Sequence, residues 1–428
     1  MRIVELTEST RKNVLNDLLK RSPNNYSEYE ETVNEILSNV KENGDQALFG
    51  YTLKFDKFQL TPESIRVTRE EIREAYAQMD SELVEVIKRS AANIRAFHEK
   101  QLRNSWFDAK EDGTILGMKI TPIGRVGVYV PGGKAAYPSS VLMNVIPAKV
   151  AGVTDIIMTT PPGADGKVNP GTLVAADIAG VGTIYKAGGA QAIAAMAYGT
   201  QSIPKVDKIT GPGNIFVALA KKAVYGYVSI DSIAGPSEIL VLADETANPR
   251  YVAADLLSQA EHDELASAIL ITTSRELAEQ VSAEVDGFVA RLSRREIMEK
   301  SLENYGYILL AEDMEAAIQT ANDIASEHLE ILTKNPFDTM TRIKNAGAIF
   351  LGEYSSEPLG DYYAGPNHIL PTNGTAKFFS PVNVDDFLKK TSIISYSGEA
   401  LQAVHEDIER FAESEGLTAH ANSIRVRF

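Results

Sequence analysis

Of the chain's six histidines, four lie in segments dense with other polar groups: His262, His328, His368 and His420. The first belongs to "SQAEHDELASA" (258–268), where Gln259 and His262 stand three residues apart among acidic neighbours. Residues so spaced share a helix face, so the pair reads either as two arms of a metal site or as a solvated helix end. In "YVAADLLSQAEHDE" the apolar stripe is Val252, Ala253, Leu256, Leu257 and Ala260, and Gln259 and His262 project from its boundary. In "MEAAIQTANDIASEHLEIL" the apolar positions Met314, Ala317, Ile318, Ala321 and Ile324 extrapolate onto His328, which by itself reads as a core histidine. With Glu327 beside it, the two can also form an acid/base pair at a helix end. "EPLGDYYAGPNHILPT" holds Asp361 and His368 in a loop rich in glycine, proline and tyrosine, a composition suited to function rather than packing. "EGLTAHANSIRVRF" places Glu415 and His420 near the terminus. Zinc accepts nitrogen and oxygen donors, and its catalytic sites keep one position open. Spacing alone leaves open whether these segments converge on a metal or stay apart.

The elements that must position these groups follow from glycine punctuation and apolar periodicity. Residues up to roughly Gly117 read as helical and strongly charged. "SELVEVIKRSAANIRAFHEKQL" shows one stripe of Leu83, Val86, Ile87, Ile94 and Phe97, with His98 at its surface boundary. From Ile123 short apolar runs alternate with helical segments and nearly every switch carries glycine, as in "RVGVYVPGG", "DIIMTTPPG", "TIYKAGG" and "KITGPG". This is the texture of parallel βαβ units. A second series runs from "EILVLAD" through "SAILITTS", "YGYILLA" and "AGAIFLG". The fold class expected is α/β, with two doubly wound lobes and the first inserted before the second. The boundaries expected are a small helical segment at 1–24, a main lobe at 25–122 and 239–380, an inserted lobe at 123–238 and a C-terminal tail at 381–428. Gly416 is placed to stop the helix of "EALQAVHEDIERFAESE", on which His405 is expected to be solvated.

Composition narrows the function classes. A formal charge of -16 repels phosphate backbones and no basic run appears, so no nucleic-acid partner is expected. The absence of cysteine excludes a thiolate metal site and a thiol nucleophile. The charged start lacks the apolar core of a signal peptide, and no stretch approaches the ~20 apolar residues of a membrane span. A cytoplasmic protein with no membrane partner is therefore expected. "YVPGGKAAYPSS", "KAGGAQA", "ITGPGN" and "IAGPSE" each place glycine or proline directly after a strand, where open sheets bind ligands. None matches G-x-G-x-x-G, so the usual dinucleotide fingerprint is absent. Each turn alone reads as a tight connection; four on one lobe point to a nucleotide or small polar ligand.

At these residues the chain resembles the L-histidinol dehydrogenase family. The likeness runs in order through "YVPGGKAAYPSSVLMN", "GGAQAIAA", "GPGN", "AGPSEIL", "SQAEHDELASA", "SEHLEI", "PLGDYYAGPNHILPT" and "EGLTAHANSIRVR", and is weaker in the first hundred residues. The resemblance implies two incomplete Rossmann-like lobes with small terminal parts, in an intertwined homodimer whose C-terminal tail reaches the partner's site. It implies one zinc ion per subunit, held by Gln259, His262, Asp361 and His420, and NAD contacted by Tyr129, Gln191 and Asn214. Glu327 and His328 would be the acid/base pair. Ser237, Gln259, His262, His328, Asp361, His368, Glu415 and His420 would bind the substrate, L-histidinol, with Glu415 and His420 acting across the dimer.

The activity so implied is the last step of histidine biosynthesis, oxidation of an alcohol to an acid by two hydride transfers to NAD through a bound aldehyde. A histidine suits removal of the alcohol proton. Oxidising the aldehyde requires prior addition of an oxygen nucleophile, and without a thiol that nucleophile is water, which Glu327 can activate. Gln259 would supply a neutral oxygen donor beside Asp361. Two other readings stay open on the residues alone: a zinc hydrolase, which turns over without nicotinamide, and a non-catalytic zinc and imidazole sensor, which needs no base.

Overall fold

A computed structural model describes residues 1–21, 27–132 and 137–428; the centre of "YVPGGKAAYPSS" lies outside the described residues. Two compact units share the chain, one formed by residues 1–101 and 123–387, the other by 102–122 and 388–428. The strands, in chain order, are β1 (Arg2–Glu5), β2 (Trp106–Ala109), β3 (Ile115–Pro122), β4 (Arg125–Tyr129), β5 (Asp155–Thr160), β6 (Thr183–Lys186), β7 (Lys208–Thr210), β8 (Ser229–Ile230), β9 (Glu238–Ala243), β10 (Ser267–Thr272), β11 (Gly306–Leu310), β12 (His328–Leu332), β13 (Ala348–Leu351) and β14 (Leu388–Ser395).

The larger unit holds two parallel sheets, in the orders β6-β5-β4-β7-β8 and β1-β11-β10-β9-β12-β13. Each reverses direction part-way, between β4 and β7 and between β9 and β12, as doubly wound sheets do. Every residue of β9, β10, β11 and β12 is buried, the signature of strands covered on both faces by helices. The mixed α/β class is as expected. The smaller unit has an antiparallel sheet, β14-β3-β2, and the helices Gly398–Gln402, His405–Ser414 and Thr418–Arg425. Gly416, at φ 75°, does follow the second of these helices.

Three local expectations change. The first 117 residues are not helical throughout: β1 extends the six-stranded sheet by pairing with β11, and β2 and β3 belong to the antiparallel sheet. Helix Ser81–Glu99 buries Val84, Ile87, Ser90, Ile94 and His98, while Leu83 and Phe97 are 46% and 38% exposed. The stripe is rotated because this face meets the loop at 360–364, where Ser90 Oγ donates to Tyr362 O (2.6 Å) and Asn93 Nδ2 to Tyr363 O (2.8 Å). His98 is consequently interior rather than at the surface, with Nδ1 2.8 Å from Ile94 O and Nε2 3.5 Å from Asn367 Nδ2. Helix Met314–Ile324 stops before His328, because Ala325 turns left-handed at φ 52° and the next residues enter β12.

Candidate active site

His328 is therefore the first residue of a buried strand, not the last of a helix. β12 lies between β9 and β13, with His328 opposite Ile239 and Ala348. The left-handed Ala325 is fully buried, a strained backbone held by its surroundings two residues before Glu327 and His328. Ser326 O accepts from Gly347 N and Glu327 O from Ala348 N, both at 2.9 Å. A Cβ on Gly347 would stand 2.4 Å from Glu327 O, so the residue there must be glycine for the backbones to approach. Gly347→Ala is expected to displace Glu327, lowering kcat and costing about 1–3 kcal/mol of stability through overpacking. Thermal melting and steady-state turnover check this together.

The paired groups interlock with the start of β9. Glu238 N donates to Glu327 Oε2 (2.9 Å), and Glu327 N donates to Glu238 Oε2 (3.3 Å). His328 Nδ1 lies 3.0 Å from Glu238 O, which fixes the proton of a neutral ring on Nδ1 and turns Nε2 into an acceptor. That Nε2 is buried without a hydrogen-bond partner among the described residues, and Asp361 Oδ1 stands 3.7 Å away. Glu327 Oε2 is 3.7 Å from Nδ1. Burial pushes the Glu327 carboxyl up to about 8, with His328 opposing it. Burial alone would depress the His328 imidazole, but Glu327 and Asp361 override it and raise it to about 10. The two groups titrate as a pair holding protons near neutrality, the condition for acid/base work.

Asp361 arrives on a π-helical turn, Gly360–Ala364, that continues the short helix Glu357–Leu359. Its carboxyl is pushed up by burial but held down at about 2 by His328 and His368, so it is an anion. His368 Nδ1 lies 3.2 Å from Asp361 O and 3.8 Å from Oδ1, and burial lowers its pKa. Glu357, four residues before Asp361, is buried; burial and Asp361 raise it to about 7. Its amide donates to Glu330 Oε1 (2.8 Å), and Ser258 Oγ donates to its Oε2 (2.9 Å). Donor atoms of His328, Glu357 and Asp361 lie within 4.8 Å of one another, a cluster able to hold a cation.

Gln259 is buried in the last turn of helix Pro249–Ala260, whose expected stripe is buried in full. His262 is not on that helix: the chain leaves it after Ala260, and the His262 amide donates back to Gln259 O at 3.0 Å. His262 as a residue is exposed, yet desolvation by the surrounding protein lowers the imidazole's pKa, while Asp361 pulls it upward and His328 adds to the lowering. Ser237 is half-buried just before β9, and its carbonyl accepts from Ser267 N (3.0 Å). Glu415 and His420 are exposed on the smaller unit, where they share an apolar groove with Ile408, Phe411 and Leu417.

Tyr129 is the last residue of β4, and Gln191 and Asn214 follow β6 and β7, so all three stand at the carboxyl ends of strands of the five-stranded sheet. Tyr129 and Gln191 are buried; Tyr129 Oη accepts from Gly189 N (3.1 Å) at the start of the helix that carries Gln191. Asn214 is exposed and caps helix Ile215–Val224 through Val217 N. Gly211, at φ 121°, lies so close to β4 that a Cβ would fall 2.0 Å from Tyr129 O. Its amide donates to Asp231 Oδ2 (2.8 Å) and its carbonyl accepts from Lys221 Nζ (2.9 Å), the two side chains forming a buried ion pair.

Glu357 and Glu238 escape a reading of the sequence based on histidine-rich segments. For Glu357 a signal exists, its i, i+4 spacing to Asp361 behind a helix-starting proline. Glu238 opens an apolar strand and gives none.

A model of the "Histidinol dehydrogenase" family matches residues 19–428. Histidinol dehydrogenase of Clostridium acetobutylicum is 57% identical over 411 residues, 96% of this chain and 95% of its own. That of Bacillus subtilis is 60% identical over 400 residues, 94% of this chain and 93% of its own. The crystal structure of histidinol dehydrogenase from Elizabethkingia anophelis superposes with a TM-score of 0.94 at 40% identity, covering 100% of this chain and 98% of that one.

Proposed function

The chain belongs to the histidinol dehydrogenase family, and on that premise we propose that its site oxidises L-histidinol to L-histidine through Glu327 and His328, with zinc and NAD as cofactors. The observation that carries the reading is the buried pair Glu327–His328 with an unpartnered Nε2 facing Asp361. The donor set fits zinc in kind: Gln259, His262 and Asp361 offer only nitrogen and oxygen, Asp361 is an anion, and donor atoms of His328 and Glu357 lie within 4.8 Å of its carboxylate. Gln259, His262 and Asp361, with His420 from a second copy of the chain, would hold it. Zinc, when bound, supplies a template for the imidazole and amine of the substrate. The glycine turns beside Tyr129, Gln191 and Asn214 would hold NAD, two molecules of which, bound in turn, would each take up one hydride. The inserted lobe, 123–238, would thus serve the nucleotide, and the lobe of 25–122 and 239–380 the metal and substrate.

Asp361, as one of the residues that would hold zinc, would then hold a proton on His328 less strongly. The imidazole is then free to take the hydroxyl proton of histidinol as a hydride leaves the carbon, giving the aldehyde. Glu327, ionised, takes a proton from the water that adds to the aldehyde while the His328 imidazolium returns its proton to the aldehyde oxygen, which forms the hydrate and frees the imidazole again. His328 takes one hydroxyl proton from that hydrate as the second hydride leaves, giving the carboxylic acid, whose remaining proton passes to solvent. Ser237, His368 and Glu415 would hold the substrate's remaining polar groups. No described helix is long and apolar enough to cross a membrane, and a biosynthetic dehydrogenase of this kind suits the cytoplasm.

Two NADH are expected per histidinol consumed. Chelation should abolish turnover and added zinc restore it, whereas continued NADH formation in fully metal-depleted protein would sink the zinc assignment. Histidinol bound without any NADH formed would instead mark a sensor.

A further inference from the structure

Arg21 ends helix Glu8–Lys20, in the N-terminal part whose sequence offers the weakest family likeness, yet its side chain is completely buried. Nη2 donates to Glu238 Oε1 at 2.5 Å, Nη1 donates to Leu265 O at 2.7 Å, and the guanidinium lies 5.1 Å from the Tyr305 ring centroid. Glu238 passes this anchorage on by three separate atoms: its Oε2 accepts from Glu327 N, its amide donates to Glu327 Oε2, and its carbonyl meets His328 Nδ1. Leu265, the other attachment, lies in the turn from His262 to β10, so one planar cation ties together the two segments that carry the base pair and a proposed zinc ligand.

We propose that Arg21 is a positioning residue for the oxidation, its buried guanidinium holding Glu238 so that Glu238 in turn fixes the Glu327 carboxylate and the His328 ring. This rests on the roles given above to Glu327 and His328. The guanidinium suits the task because its rigid fork serves two acceptors at once; a lysine ammonium cannot reproduce both directions. Burial pushes the Glu238 carboxyl up and Arg21 opposes it. Without Arg21, Glu238 is a buried carboxylate with no counter-ion, which must take a proton or draw away from β9. Either response changes what Glu327 faces. Arg21 itself touches neither substrate nor cofactor, so its removal should register in turnover rather than in binding.

The test compares the zinc-loaded, full-length wild type with Arg21→Met, Arg21→Lys and the double variant Arg21→Met/Glu238→Gln. Displacements near 1 Å can cost about 10²-fold in rate, so Arg21→Met is expected to lose roughly 10- to 100-fold in kcat. KM for NAD and zinc content should stay within about twofold of wild type. Arg21→Lys should recover part of the loss, and so should the double variant, which removes the stranded carboxylate. A merely structural arginine would lower the melting temperature without this split and without rescue by Glu238→Gln. Folded Arg21→Met with wild-type kcat overturns the proposal, as does a loss of kcat that only mirrors lost zinc. Should Arg21→Met fail to fold, Arg21→Lys decides: folded protein with full kcat overturns it, and a threefold or greater loss at unchanged zinc content supports it. A wild type that does not reduce NAD with histidinol defeats the functional reading instead.

Discussion

Replacing His328 by asparagine is expected to lower kcat by about 10²–10⁴-fold, the usual worth of a positioned general base, while the protein remains folded and KM for NAD is unchanged. Asparagine can still donate to Glu238 O, so the start of β12 keeps its anchor, but no acceptor stands where Nε2 now faces Asp361. Both hydride transfers require a hydroxyl proton to leave, so neither should survive. Glu327→Gln separates the steps. The amide can still accept from Glu238 N, but it cannot take a proton from water. Its first hydride transfer should persist while the second stalls, so that rapid mixing of excess NAD and substrate yields one NADH per site instead of two. If His328→Asn keeps a tenth of wild-type turnover, or Glu327→Gln still yields two NADH at the normal rate, these roles are wrong.

The contrast between local pattern and long-range contact explains which parts of this molecule can be read from residues in order. Alternation of buried strand and glycine turn is a local pattern, so the βαβ texture and the stripe of helix Pro249–Ala260 are visible in the chain. Helical periodicity, by contrast, runs smoothly through residues 314–328 and hides the break at Ala325, because nothing in an alanine announces a left-handed backbone; tertiary packing imposes it. His98 and the rotated stripe of helix Ser81–Glu99 depend on the loop at 360–364, some 270 residues away in sequence. The same is true of Glu238 and Arg21. They are 217 positions apart, and no spacing rule joins them. The groups proposed to do chemistry thus stand out in the sequence more readily than the groups that hold them, since the holding is done by long-range contacts.

The largest recovery of activity is expected from mixing two inactive proteins. Glu327→Gln lacks the base proposed for water, and His420→Ala lacks the terminal imidazole proposed as a zinc ligand. If each tail serves the partner's site, a heterodimer contains one site built from two damaged contributions and one built entirely from intact ones. The intact site combines the main lobe of the His420→Ala chain, with its Glu327, and the tail of the Glu327→Gln chain, with its His420. Equal mixing with free subunit exchange makes half of the dimers mixed, and half of their sites intact, so turnover should climb to about one quarter of wild type. If His420 serves its own chain, every site in the mixture still carries a lesion and no recovery is possible. The two arrangements therefore differ between about one quarter and nothing, with labelled subunits and native mass spectrometry used to show that exchange took place. Activity that stays at the background of the separate variants, in a sample where half of the dimers are demonstrably mixed, excludes the shared site and returns His420 to its own subunit.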